Sequence, residues 1–265
     1  MTSCRLAVVG GGNMGAALVG GLLAAAWAPA EQLAIVEVVP ARREALAEMF
    51  PGVVVVDTTP PCSAALIAVK PHDVPDAAAA AVAAGARRVL SIAAGVSVET
   101  LQAACGPSVA VVRAMPNTPA LVGQGAAAIC GGDAADDDDL AWAESILGAV
   151  GTVVRVPEPQ LDAVTGLAGS GPAYLFLVAE ALTDAGVLAG LTRPVAEALV
   201  RQLFVGSAAL LADRGDPAQL RVMVTSPGGT TAAGLRVLEE HGVRSAMLEA
   251  VVAATQRSRE LGRSH

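Results

Sequence analysis

Aromatic residues are scarce: two tryptophans, one tyrosine and three phenylalanines among 265 residues. With so few flat platforms the chain is not built to stack on successive bases, which argues against nucleic acid as a ligand. Charge is thin as well, at 16% of residues, and the net charge is −8. That field repels nucleic acid and anionic membrane surfaces, so any anionic ligand has to be held by local dipoles. Lysine is almost missing, with Lys70 alone against sixteen arginines. The four cysteines, Cys4, Cys62, Cys105 and Cys130, lack the paired spacing of a zinc or redox site, so no metal is expected. They are expected to be reduced and mostly buried, as in a cytoplasmic protein.

Uninterrupted apolar runs are short too. Arg5, the apolar stretch after it and Ala24 to Ala26 loosely mimic a signal peptide, but Gly10, Gly11, Gly12 and Asn13 break the stretch where its core should lie. Residues Pro172 to Gly190 are apolar almost all round, yet Glu180 and Asp184 favour a buried helix over a membrane span. No membrane association is expected.

What the chain does have is small apolar residues, within a 54% hydrophobic composition that specifies a compact core. In the first half, β-branched runs at 6–10, 33–38, 53–56, 65–69, 88–93 and 109–114 alternate with helical stretches such as 14–27, 41–49 and 98–105. Continuous apolar strands separated by helices mean a parallel sheet covered on both faces. A strand at 126–131, a helix near 136–149 and a strand at 152–156 complete this domain, and the aspartates of 133–139 are expected to cap that helix. Pro157-Glu158-Pro159 marks a boundary. Past it strand signals stop, and helices are expected at 172–188, 194–212, 217–224, 231–240 and 243–261, several with proline near the start. The division is therefore 1–157, α/β, and 158–265, all-helical. The second region has too much apolar face to stand alone and is expected to pair with another subunit.

Gly10-x-Gly12-x-x-Gly15 follows the first strand and opens the first helix, the setting a dinucleotide fingerprint requires. Gly10 permits the tight turn, Gly12 lets a pyrophosphate approach the backbone, and Gly15 lets helix and strand pack closely. The helix start, at Asn13 and Met14, offers free N–H groups. Glu37 ends the second strand about 20 residues on, where an acid bonds the ribose 2′-hydroxyl of NAD. Arg42 and Arg43 close behind it suit a 2′-phosphate instead, and ordinary surface charges are equally consistent, so the residues leave NADH against NADPH open.

Lys70 lies in Ala68-Val69-Lys70-Pro71-His72, just past a strand end where open α/β sheets bind ligands. Its compact ammonium is not interchangeable with arginine; the plainer alternative is a surface lysine. His72 reads as a surface residue at a helix start. The segment 113–119, Arg-Ala-Met-Pro-Asn-Thr-Pro, follows the sixth strand at the same edge, and Met115, Pro116 and Asn117 either shape a nicotinamide pocket or make a rigid turn. In the helical half, Thr225 and Ser226-Pro-Gly-Gly-Thr-Thr231 combine two freeing glycines with hydroxyls at a helix start. That is an anion cradle fit for a small carboxylate, or else an ordinary threonine-capped helix. The glycine-rich start at 169–174 is better explained by packing, and Tyr174 by core filling.

Together these segments resemble the pyrroline-5-carboxylate reductase family along nearly the whole chain. The matching stretches are Gly-Gly-Gly-Asn-Met-Gly at 10–15, Ala-Val-Lys-Pro-His at 68–72, Ser-Ile-Ala-Ala-Gly-Val at 91–96, Arg-Ala-Met-Pro-Asn-Thr-Pro-Ala-Leu-Val at 113–122, Gly-Ser-Gly-Pro-Ala-Tyr at 169–174 and Ser-Pro-Gly-Gly-Thr-Thr at 226–231. The resemblance implies an N-terminal Rossmann-type domain, a helical domain that interlocks into a homodimer, often within a ring of dimers, and reduction of 1-pyrroline-5-carboxylate to L-proline by NADPH or NADH. It places the substrate carboxylate on Thr225, Ser226, Gly228, Gly229, Thr230 and Thr231, with Thr231 bonding the ring nitrogen. The cofactor falls on Gly10, Gly12, Asn13, Met14 and Gly15, with Lys70, beside Ala68 and Val69, and Met115, Pro116 and Asn117 near the nicotinamide. Thr231 and Lys70 are the catalytic candidates. Glu37 is where the chain departs from members that prefer NADPH.

A cyclic imine can be protonated before hydride arrives, so no strong general acid need be built, and the second region offers none: it has no lysine, and its histidines are His241, beside a turn, and His265. One rival is a β-hydroxyacid dehydrogenase, whose fold and Gly-x-Gly-x-Met-Gly start are similar. That family uses a lysine in its helical domain, and none follows Lys70 here. A rival of another class is a non-catalytic nucleotide sensor or scaffold, whose mark would be a damaged cradle; here the cradle residues are all present.

Overall fold

The computed structural model describes residues 4–262; His265 lies outside them. The α/β part contains β1 (Leu6–Val9), α1 (Asn13–Ala24), β2 (Leu33–Val36), α2 (Pro40–Met49), β3 (Val54–Val56), β4 (Ala64–Ile67), α3 (Val74–Ala83), β5 (Arg88–Ser91), α4 (Val98–Cys105), β6 (Ala110–Met115), β7 (Gly125–Gly131), α5 (Asp137–Leu147) and β8 (Gly151–Arg155). Helices α6 (Leu161–Val164), α7 (Gly171–Leu188), α8 (Arg193–Arg214), α9 (Pro217–Met223), α10 (Thr230–Glu240) and α11 (Val243–Gly262) follow. The strands form one eight-stranded sheet in the order β3-β2-β1-β4-β5-β6-β7-β8.

Strand side chains alternate between faces, and the core divides accordingly. Leu6 and Val8 of β1 join one cluster with Leu33, Ile35, Leu66, and Leu18 and Leu22 of α1. Ala7 and Val9 join another with Ala65, Ile67, and Val74, Ala78 and Ala81 of α3. Both faces are dry, so β1, β2 and β4 are buried at every position, the pattern of a doubly covered parallel sheet.

One strand pair departs from the expected parallel arrangement: β6 and β7 are antiparallel. Residues 116–124 between them are too few for a crossover, so the chain turns back beside itself. Parallel pairing resumes between β7 and β8, whose connection contains α5. That helix starts in a capping box, the Asp136 carboxylate accepting from the Asp139 amide and the Asp139 carboxylate from the Asp136 amide. The acidic run caps its helix as expected.

The residues after Pro157 hold a helix that the sequence pattern did not suggest. A short turn at Glu158–Gln160 leads into α6 and then a π-turn at Thr165–Gly169. Glu158 Oε1 accepts from Val98 N at 2.7 Å and from Arg113 Nη1 at 2.8 Å. The segment is thereby tied to α4 and β6. By its contacts the chain divides into a sheet unit, residues 4–170 with the end of α11 from Val252, and a helical unit, residues 171–251.

The twelve largest fully buried side chains, among them Leu6, Leu66 and Ile146, all belong to the sheet unit. Each contributes about 1.5–3 kcal/mol of burial. In the helical unit only Thr183 and Ala196 are buried. The burial expected for the helix at 172–188 is therefore not met within one chain, because this unit has no sheet to pack against. All four cysteines are free; burial pushes the thiols of Cys62, Cys105 and Cys130 up to about 11, which keeps them protonated and inert.

Arg113 is only 12% exposed. Replacing Glu158→Ala leaves its guanidinium and the Val98 amide short of an acceptor. The expected cost is about 1–3 kcal/mol, measured by urea unfolding, with Glu158→Gln costing less.

Candidate active site

The strand order reverses direction between β1 and β4, with β2 beyond one and β5 beyond the other, and such a switch point opens a crevice at the C-terminal strand ends. Gly10 sits there at φ +108°, a conformation that favours glycine. An added Cβ would lie 2.5 Å from the Ala68 carbonyl oxygen, so Gly10 lets the turn press against Ala68 and Val69. At Gly15 a Cβ would collide with the Gly10 carbonyl oxygen. At Gly12 it would meet nothing, because the space above Gly12 is open. The first and third glycines close the turn, and the second has no atom within 4 Å of where a Cβ would stand.

The helix that follows is prepared for an anion. Gly12 is the N-cap of α1 without a side-chain cap, and the first turn holds no acid. This is unusual in the chain. Ser97 and Asp136 cap α4 and α5, while proline occupies the first turn of α2, α3 and α8. Among helices of eight residues or more whose N-cap is described, only α1 and α10 begin with neither. The N–H groups of Asn13, Met14 and Gly15 are not taken by a cap, and the helix dipole adds about 0.3–1 kcal/mol for an anion there. These residues fit a dinucleotide pyrophosphate.

At the rim, Glu37 Oε2 accepts from Gly11 N at 3.1 Å and Oε1 from Val39 N at 2.9 Å. Arg42 Nε donates to the Gly11 carbonyl, and Arg43 Nη1 to the carbonyls of Glu37 and Val38. Lys70 is exposed just beyond β4 and precedes the turn holding His72, whose ring lies 3.3 Å from Asp73. Pro116 is buried, and Met115 packs with Ala128, Cys130 and Leu161. Asn117 is a brace: its Oδ1 accepts from Ala126 N at 2.8 Å and its Nδ2 donates to the Ala168 carbonyl at 3.0 Å, inside the π-turn. Gly169 follows, where a Cβ would lie 2.7 Å from Met115 Cε. Packing thus accounts for that glycine.

The cradle in the helical unit has the second uncapped start. Ser226 O accepts from Gly229 N at 3.0 Å to close a turn, with Gly228 at φ +68°. A Cβ on Gly229 would collide with Ser226 Oγ. Gly229 is the N-cap of α10, so the amides of Thr230 and Thr231 open the helix with no side-chain cap. The helix starts one residue earlier than expected. Thr225 Oγ1 donates to the Arg221 carbonyl, which holds the hydroxyl on α9. The sheet edge brings Gly10 to Gly15, Glu37, Arg42 and Ala68 to Lys70 together, and the cradle brings Thr225 to Thr231 together.

The close contacts of Gly11, and Asp57 altogether, escaped the sequence reading. A Cβ on Gly11 would collide with Leu46 and lie 3.1 Å from Glu37 Oε2; only its place inside a triple glycine hinted at this. Asp57 follows Val56, which pairs with Val36, so it stands beside Glu37 at the rim. A separate cleft between α7 and α8, lined by Phe176, Asp184, Arg193, Arg201 and Phe204, includes no residue of either glycine turn.

Residues 158–261 match the family model described as pyrroline-5-carboxylate reductase dimerisation, and residues 5–95 match one described as NADP oxidoreductase, coenzyme F420-dependent. A pyrroline-5-carboxylate reductase of Synechocystis sp. is 46% identical over 98% of this chain and 99% of its own length. The chain belongs to the pyrroline-5-carboxylate reductase family. A pyrroline-5-carboxylate reductase of Mycobacterium tuberculosis is 41% identical over 97% of this chain and 96% of its own. Among solved structures, the pyrroline-5-carboxylate reductase of Coxiella burnetii superposes with a TM-score of 0.91 at 34% identity, covering 98% of this chain and 99% of that one. The Plasmodium falciparum pyrroline carboxylate reductase, solved with NADP bound, reaches 0.83 at 29% identity over 99% of both chains. The family's dimerisation region is thus present, and it is the part of the chain that buries least.

Gly10→Ala should cost about 1–3 kcal/mol, from its φ and the Ala68 carbonyl. Gly12→Ala should cost less than about 1 kcal/mol, yet weaken NADH or NADPH binding by at least about tenfold. Thermal melts and dinucleotide titration separate the two effects; equal destabilisation would show that the space above Gly12 is not open.

Proposed function

We propose that this chain reduces 1-pyrroline-5-carboxylate to L-proline, with NADPH or NADH as hydride donor. The observation that carries the reading is the presence of two uncapped, glycine-started helices, one in each unit and one of them led by Ser-Pro-Gly-Gly-Thr-Thr, in a chain whose full-length relatives are reductases of this imine. The bound dinucleotide supplies hydride from its nicotinamide to the imine carbon, and the nitrogen, protonated from solvent, becomes the secondary amine of proline.

The chain's own residues bind and orient. The amides of Thr230 and Thr231, with the Ser226 hydroxyl, hold the substrate carboxylate. Thr231 Oγ1 hydrogen-bonds the ring nitrogen and sets which atom meets the hydride. Lys70 stands near the nicotinamide ribose, and Met115 and Pro116 contribute a rigid apolar wall. Positioning of this kind supplies about 7–11 kcal/mol of barrier reduction, so no strong acid is needed. Asn117 acts by bracing, its carboxamide already shared between Ala126 and Ala168. Thr231→Ala should lower kcat roughly tenfold or more with an unchanged melting curve, while Thr231→Ser stays within about threefold of the parent. Parental turnover by Thr231→Ala removes the hydroxyl from the mechanism.

The active form is a homodimer through the helical unit, within a ring of dimers, and it works in the cytoplasm. Two segments, Glu158–Leu188 and Arg193–Arg214, are long and apolar enough to cross a membrane by length and composition. Their faces carry Phe176, Leu177 and Leu203, between 53% and 66% exposed in one chain. Glu180, Asp184 and Arg201 on the same helices suit a protein contact better than lipid. Analytical ultracentrifugation without detergent should give a dimer or a multiple of it. Leu177→Glu with Leu203→Glu should shift the population towards monomer and lower the melting temperature. A monodisperse parental monomer would contradict this assignment.

A further inference from the structure

We propose that Glu37 makes NADH, rather than NADPH, the preferred hydride donor; the inference rests on the sheet edge being the dinucleotide site. Glu37 immediately follows β2, and its amide still donates to the Val56 carbonyl at 2.9 Å, so its backbone continues the ladder. It stands at the strand end beside the Gly10 turn, since Gly10 N donates to the Val36 carbonyl at 2.8 Å. An acid at this strand end meets the adenosine ribose of a dinucleotide.

Three observations turn that position into a preference. The carboxylate is pinned: Gly11 N and Val39 N each donate to one of its oxygens. Swinging it aside for a phosphate would release both amides, one of them in the pyrophosphate turn. A carboxylate has about four acceptor sites, so two remain for the two hydroxyls of a ribose, and none can donate to a phosphate.

The neighbouring residues Val38, Val39 and Asp57 supply no cation. Asp57 brings a second carboxylate to the rim by strand register. Val38 and Val39, 76% and 52% exposed, present apolar side chains next to the acid.

One nitrogen of each nearby cation is bonded to the backbone. Arg42 Nε is committed to the Gly11 carbonyl at 2.8 Å, and Arg43 Nη1 to the Glu37 carbonyl at 2.8 Å and the Val38 carbonyl at 3.0 Å. Arg43 thus clamps the backbone that carries Glu37, and Arg42 the turn whose amide donates to it. A 2′-phosphate would set a second anion against a fixed one, with acceptors facing acceptors.

The test is a pair of binding measurements on the full chain, made by calorimetry. The first compares NADH with NADPH. The second compares adenosine 5′-monophosphate with adenosine 2′,5′-bisphosphate, which isolates the adenosine end. The hydroxyl ligand should bind at least about tenfold tighter in each pair, and kcat/KM with the imine should follow. Glu37→Gln, which keeps the shape and removes the charge, should narrow each gap to within about threefold. The parental comparison alone decides the matter if that variant fails to fold. Equal or tighter binding of NADPH, with imine reduction intact, overturns the inference and leaves the proposed function standing. Failure of both dinucleotides to bind would remove both.

Discussion

An acidic chain that handles anions has to hold them against its own field. With a net charge of −8, the attraction must come from within a few ångströms, and backbone amides at helix starts are the means available. Most longer helices of this chain close their starts with Ser97, Asp136 or a proline. The first and tenth helices leave theirs open behind a glycine, and the proposed function puts the two anions on those ends.

Presentation demands rigidity. Gly10 can press on the Ala68 carbonyl only because β1 and β4 are adjacent and in register, Ala7 opposite Ala65 and Val9 opposite Ile67. That register is held by side chains alternating into two dry cores. A slip of one residue would move each strand's apolar set to the wrong face and carry the glycine turn with it. The helical unit has no comparable interior. Its apolar faces stay exposed in one chain, and the family's dimerisation region lies there.

The sheet was legible because both of its faces are covered: Leu6–Val9, Leu33–Val36 and Ala64–Ile67 are unbroken apolar runs. The antiparallel β7 was not, since a strand's residues carry no direction and only the shortness of 116–124 betrays it. The π-turn at Thr165–Gly169 also escaped, because it depends on Asn117 reaching the Ala168 carbonyl across a gap of many residues. Both glycine turns could be placed from spacing alone. Their partners could not: nothing in the order of residues shows that Glu37 is gripped by the amides of Gly11 and Val39. Local chemistry is written in sequence neighbours, and contacts between distant segments are not.

The most direct check is a crystal of the protein soaked with dinucleotide and L-proline. The pyrophosphate should rest on the amides of Asn13 and Met14 over Gly12, and the proline carboxylate on those of Thr230 and Thr231, its ring nitrogen within hydrogen-bonding distance of the Thr231 hydroxyl. Proline bound elsewhere, or a pyrophosphate that avoids the start of α1, would contradict the account.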